Sequence, residues 1–115
     1  MSPRHPDAVP VDALRDLIGL VRAIRAAKAK APAAVLEHID RVGAELVAAY
    51  ELAVSSTPGT LGMRAAWVRA EEATRAVGDL VTMTDGAEEI VTAARARVTR
   101  ARRQATTGRL RGGTR

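Results

Sequence analysis

From Leu14 to Ala101 the apolar residues return at steps of three and four, and nowhere do they alternate regularly with polar ones. Steps of three and four keep one face of a 3.6-residue helix, whereas alternation would mark a strand. The pattern predicts an all-α chain of four helices. In the first, Leu14, Leu17, Val21 and Ile24 form the seam, Ile18 and Leu20 widen it, and Arg15, Asp16, Arg22 and Arg25 lie mainly off it. Asp12 is a candidate N-cap, and Lys28-Ala29-Lys30 places cations where a helix C-terminus favours them. Pro32 suits the first turn of a new helix and would damage an interior. The second helix is expected from about Ala33 to Val54, through Val35, Leu36, Ile39, Val42, Leu46, Val47, Tyr50 and Val54. Ser55-Ser56-Thr57-Pro58-Gly59-Thr60 reads as a loop. The third helix is expected from about Leu61 to Met83, with Met63, Trp67, Ala70, Thr74, Val77, Leu80 and Val81 on one face and Ala66 and Ala73 admitting a close neighbour. Asp85, with Glu88 three residues later, resembles a capping box. It opens a fourth helix with Ile90, Val91, Ala94, Val98 and Ala101 inward and an end near Thr106–Gly108.

Short connections between successive helices predict an antiparallel up-down-up-down four-helix bundle. Residues 1–11, with Pro3, Pro6 and Pro10, are expected to form a disordered or extended lead-in, 12–107 the bundle, and 108–115, with three glycines, a flexible basic tail. A chain of 115 residues fits one small domain. Of its 47% hydrophobic residues, 24 positions are alanine, and there is no Phe, one Trp and one Tyr, so the core should be thin. Sharing surface between subunits would offset that, and a homo-oligomer is expected. Trp67, the largest apolar residue, is expected in the core. The absence of cysteine removes disulfides and thiolate chemistry. The N-terminal residues carry no apolar run of the secretory kind, and no stretch approaches the roughly 18 apolar residues of a membrane span. A cytoplasmic protein without membrane contact is the expectation.

Charge changes the picture. Residues 90–115 contain no Asp or Glu and eight arginines: Arg95, Arg97, Arg100, Arg102, Arg103, Arg109, Arg111 and Arg115. The chain as a whole is +5, so the preceding 89 residues are slightly acidic. A basic end on an acidic body points to a polyanion, with nucleic acid first and an acidic protein or membrane surface second. The segment has no interleaved aromatic residues on which bases could stack, so it suggests phosphate contact without sequence readout. At about 100° per residue the arginines of the fourth helix are expected to spread over one broad outer side.

Candidate catalytic chemistry is sparse, and a non-enzyme without cofactor or metal is expected. His38 is the one histidine in a predicted helix, and neither Glu37 nor Asp40 stands in the Glu-x-x-His relation of inward-facing di-iron ligands. No arginine precedes His38 at the spacing of the Arg-x4–6-His motif of HEPN nucleases. Glu71-Glu72 and Glu88-Glu89 are adjacent pairs, whose side chains diverge on a helix. No phosphate-binding glycine loop, zinc-protease HExxH or serine-nucleophile GxSxG occurs.

The order of elements resembles the four-helix-bundle family of 23S rRNA intervening-sequence proteins and the related accessory variability determinants of diversity-generating retroelements. Helix three, Arg69-Ala70-Glu71-Glu72-Ala73-Thr74-Arg75-Ala76-Val77-Gly78-Asp79-Leu80, and helix four, Glu88-Glu89-Ile90-Val91-Thr92-Ala93-Ala94-Arg95, carry the resemblance. It spans about residues 12–104. It implies a homo-oligomeric, typically pentameric, bundle and, for the retroelement branch, a basic surface that engages RNA and a reverse transcriptase. The expected function is a non-catalytic nucleic-acid-binding accessory, with RNA favoured. The alternative is an adaptor or antitoxin-like regulator whose basic helix docks an acidic partner.

Overall fold

A computed structural model describes residues 8–82 and 88–113, with side chains over 8–82 and 89–104. Four helices follow one another, α1 (Val11–Ala27), α2 (Ala33–Ser55), α3 (Leu61–Val81) and α4 (Glu88–Gly113), and no strand occurs among the described residues. The molecule measures 57 × 26 × 24 Å. Its two short axes each span about two helix diameters of roughly 10–12 Å, the cross-section of a two-by-two helix arrangement. α2 packs on α1 and α3, and α4 closes the ring by packing on α1 and α3. The contacts Arg15–Tyr50 and Arg25–Asp40 fall in reverse order along α1 and α2, as do Gly78–Arg95 and Glu71–Arg102 along α3 and α4. Each of these neighbouring pairs runs in opposite senses.

The seams of α1 and α3 match the periodicity. Leu14, Leu17, Val21 and Ile24 are buried in α1, and Met63, Ala66, Trp67, Ala70, Ala73, Val77, Leu80 and Val81 in α3. Trp67 is 6% exposed and belongs to the core. Ala66, Ala70 and Ala73 of α3 are at or near zero exposure, and their short side chains let the facing helix approach closely. Thr74 is the polar group buried in this seam, and its hydroxyl donates to the Ala70 carbonyl one turn back at 2.6 Å, which satisfies it locally.

Helix ends and edges depart from expectation in several places. Asp12 is not the N-cap of α1: the helix starts at Val11 behind Pro10, and Asp12 lies in the first turn, 4.0 Å from Arg15. Val9 and Pro10 are themselves buried, so the core begins before the expected boundary at residue 12, because an apolar residue just ahead of a helix can fold back onto it. In α2 the seam continues through Ala49 and Ala53, while Tyr50 is half-buried and Val54 is 60% exposed. Small residues hold the inner line there, and weighting the pattern by residue size drew it one position too far round. In α4 the inward line starts at Val91, and Ile90 is 53% exposed for the same reason of phase.

The connections explain where helices stop. Pro32 precedes α2 and the Val35 and Leu36 amides donate to its carbonyl. In the α2–α3 loop Gly59 has φ 85°, a left-handed conformation open to glycine. Thr60 caps α3: its hydroxyl accepts from the Met63 amide at 3.3 Å and donates to the Thr57 carbonyl at 2.6 Å. The Asp85 capping box lies outside the described residues. α4 runs on to Gly113, past the end expected near Gly108. Gly108 costs a helix about 1 kcal/mol relative to alanine but stops one only when it turns left-handed.

Candidate nucleic-acid interface

α4 is anchored by Val91, Ala94 and Val98, all buried, with Ala101 half-buried. Taking their mean direction as inward and about 100° per residue, Arg95 and Arg102 stand roughly 60–80° to one side and Arg97 roughly 80° to the other. Arg100 and Arg103 stand roughly 140–160° away, on the crest of the helix. The expected single broad basic side is thus divided into two flanks and a crest.

Contacts follow that division. On one flank Arg97 donates through Nη1 to Asp16 Oδ2 on α1 at 2.6 Å. On the other, Arg102 pairs with Glu71 of α3. Arg95 lies about two turns further up that flank, its guanidinium occupying the space that a side chain on Gly78 would fill. These arginines turn their heads to neighbouring helices while remaining exposed to solvent. Arg100 and Arg103 are exposed and take part in no ion pair among the described residues. Arg109 and Arg111 lie in the α4 segment whose side chains are outside the described residues, and Arg115 lies outside the described residues altogether.

Between α3 and α4, Arg95 and Arg102 border a polar cleft of about 400 Å³, with Arg75 and Asp79 on the α3 wall and Thr99 on the α4 wall. Asp16, Glu71 and Gly78 are the site residues that sequence reasoning did not connect with the arginines of α4. Asp16 and Arg97 are 81 residues apart, and only the register between helices brings such groups together.

Other candidates resolve simply. His38 is exposed on α2, and the neighbouring Asp40 accepts from Arg25 Nε at 2.9 Å. No group of three or more His, Cys, Asp or Glu side chains suited to a metal occurs among the described residues. Glu72 forms no ion pair there with Arg69 or Arg75, while Glu71 is engaged by Arg102. No described helix is long and apolar enough to cross a membrane.

Comparison of the chain with known protein families, characterised proteins and solved structures finds no significant match. The geometry of this bundle is what its function has to be read from.

Proposed function

We propose that the protein is a non-catalytic, homo-oligomeric accessory that binds nucleic acid, RNA in preference, through the outer side of α4. The observation that carries the reading is the crest pair Arg100 and Arg103, two exposed guanidinium groups without an acidic partner among the described residues, on a helix with no acid after Glu89. Guanidinium groups bind phosphate oxygens in a two-pronged fashion, and a row of them follows a backbone without reading its bases. Arg97 and Arg102 can join by exchanging a carboxylate for a phosphate, since exposed ion pairs hold by roughly 0–1 kcal/mol. The likeness to retroelement accessory proteins extends the proposal to a reverse transcriptase as the protein that such an RNA complex would serve.

One observation favours a second reading. Arg97 and Arg102 already hold carboxylates within the chain, so the same row could dock an acidic protein surface. Anisotropy of a labelled RNA hairpin and a DNA duplex at two salt concentrations separates the two. The nucleic-acid reading expects binding that weakens steeply with salt through counterion release. Replacing Arg100 and Arg103 by alanine should then lower affinity for all sequences alike and reduce the salt slope by about two, one per lost phosphate contact. Lack of binding to either nucleic acid at low salt, or indifference to the double substitution, shifts the assignment to the adaptor.

A further inference from the structure

We propose that the groove between α2 and α3 is the face through which two copies of this chain join about a two-fold axis. The groove has a volume of about 670 Å³ and a floor of Ala44 and Ala48 from α2 and Ala65 and Val68 from α3. Val68 is 51% exposed, and Leu61, two turns earlier on the same stripe of α3, is 79% exposed. A valine knob beside an alanine trough is a shape that fits a copy of itself.

Charge identifies the occupant. The rim carries Arg41 and Glu45 on α2 and Arg69 and Glu72 on α3, one cation and one anion on each helix. None of the four takes part in an ion pair among the described residues. A uniformly acidic or basic partner would set like charge against two of them. A second copy offers both signs in return, because in a two-fold contact every pairing occurs twice with the roles exchanged. Two α3 helices crossing in opposite directions about a point between Arg69 and Glu72 place Arg69 of each copy against Glu72 of the other. Val68 of each copy then enters the alanine trough of the other.

The groove also lies away from the basic crest. α4 packs on α1 and α3 and makes no substantial contact with α2. A dimer through the α2–α3 face therefore leaves two crests free, each with its Arg100 and Arg103. The inference rests on the oligomer part of the proposed function and is independent of polyanion binding, since no α4 residue lines the groove.

Sedimentation of the full chain across a concentration series reaching tens of micromolar tests it. The expected result is a monomer–dimer equilibrium that Val68→Asp and Arg69→Glu each weaken at least about tenfold, with helical content unchanged. The combined Arg69→Glu and Glu72→Arg exchange should restore the dimer, because it keeps every two-fold charge pair with the positions swapped. A misfolded variant could not recover in that way. A wild-type monomer throughout, an assembly other than a dimer, a dimer indifferent to Val68→Asp, or failure of the exchange to restore association would each overturn the proposal. RNA anisotropy on the Arg69→Glu variant separates this outcome from the function: the monomer should still bind.

Discussion

In α3 ten residues between Met63 and Val81 are buried, Trp67 among them, whereas the described part of α4 buries Val91, Ala94 and Val98. The two helices lie side by side and differ in what attaches them. α3 is held by apolar area on a wide face. α4 has a narrow apolar line, and three of its arginines reach onto α3 and α1. Long side chains of this kind can cover apolar surface with their stems while their charged heads stay in water. The flanks of α4 thus attach the helix to the bundle, and its crest remains for a partner. Substitutions on the flanks mix attachment with binding; substitutions at Arg100 and Arg103 do not.

The sharpest break of that comparison is in the cores of the two helices. Trp67→Ala in α3 should destabilise the fold by about 3–5 kcal/mol, a large part of the roughly 5–15 kcal/mol of a domain this size. Val98→Ala in α4 removes two buried methyl groups and should cost about 1.5–2 kcal/mol at roughly 0.8 kcal/mol each. Thermal and denaturant melting of the two variants would check both. Equal losses would mean that α4 is as firmly packed as α3 and that its arginines contribute nothing to attachment.

The apolar seams of α1 and α3 were legible because large residues there recur without competition. Periodicity placed Leu14, Leu17, Val21, Trp67 and Val77 inside, and each is buried. It failed at Val54 and Ile90, where an alanine or a neighbouring valine takes the inner position and the larger residue faces water. A pattern weighted by size cannot see that choice, because the partner helix makes it. The candidate interface was legible as composition: residues 90–115 hold eight arginines and no acid. Its division into crest and flanks was not, since Asp16 and Glu71 meet α4 only through tertiary register. Gly78 reads in the sequence as a helix-weakening residue, and its use as the seat of the Arg95 guanidinium requires both helices in place.

A smaller effect should follow from releasing the flanks. Asp16→Asn with Glu71→Gln removes the two carboxylates that engage Arg97 and Arg102. Both pairs are substantially exposed, so melting should fall by no more than about 1 kcal/mol per pair. Net charge rises by two, and two carboxylates that compete with phosphate are removed, so binding to RNA at low salt should strengthen and its salt dependence steepen. Unchanged binding would mean that the crest alone makes the contact. Weakened binding would mean that the carboxylates orient the flank arginines toward the polyanion and do not compete with it.

Gly78→Ala is the gentlest probe, and opposing contributions set its sign. A Cβ at position 78 would fall within the space of the Arg95 guanidinium, so one of the two must move. The obstacle is the far end of a long, exposed side chain and not backbone, which makes the displacement cheap. Against it stands the gain from replacing glycine inside α3 by the best helix former, about 1 kcal/mol. The variant should therefore melt slightly higher than wild type, by a few tenths to about 1 kcal/mol, with Arg95 swung away from α3. A loss of stability would reverse the conclusion for this flank: the Arg95 guanidinium would then be an attachment of α4 strong enough to outweigh helix propensity. In that case Arg95→Ala alone should destabilise the bundle by a similar amount, whereas a freely displaced Arg95 predicts almost none.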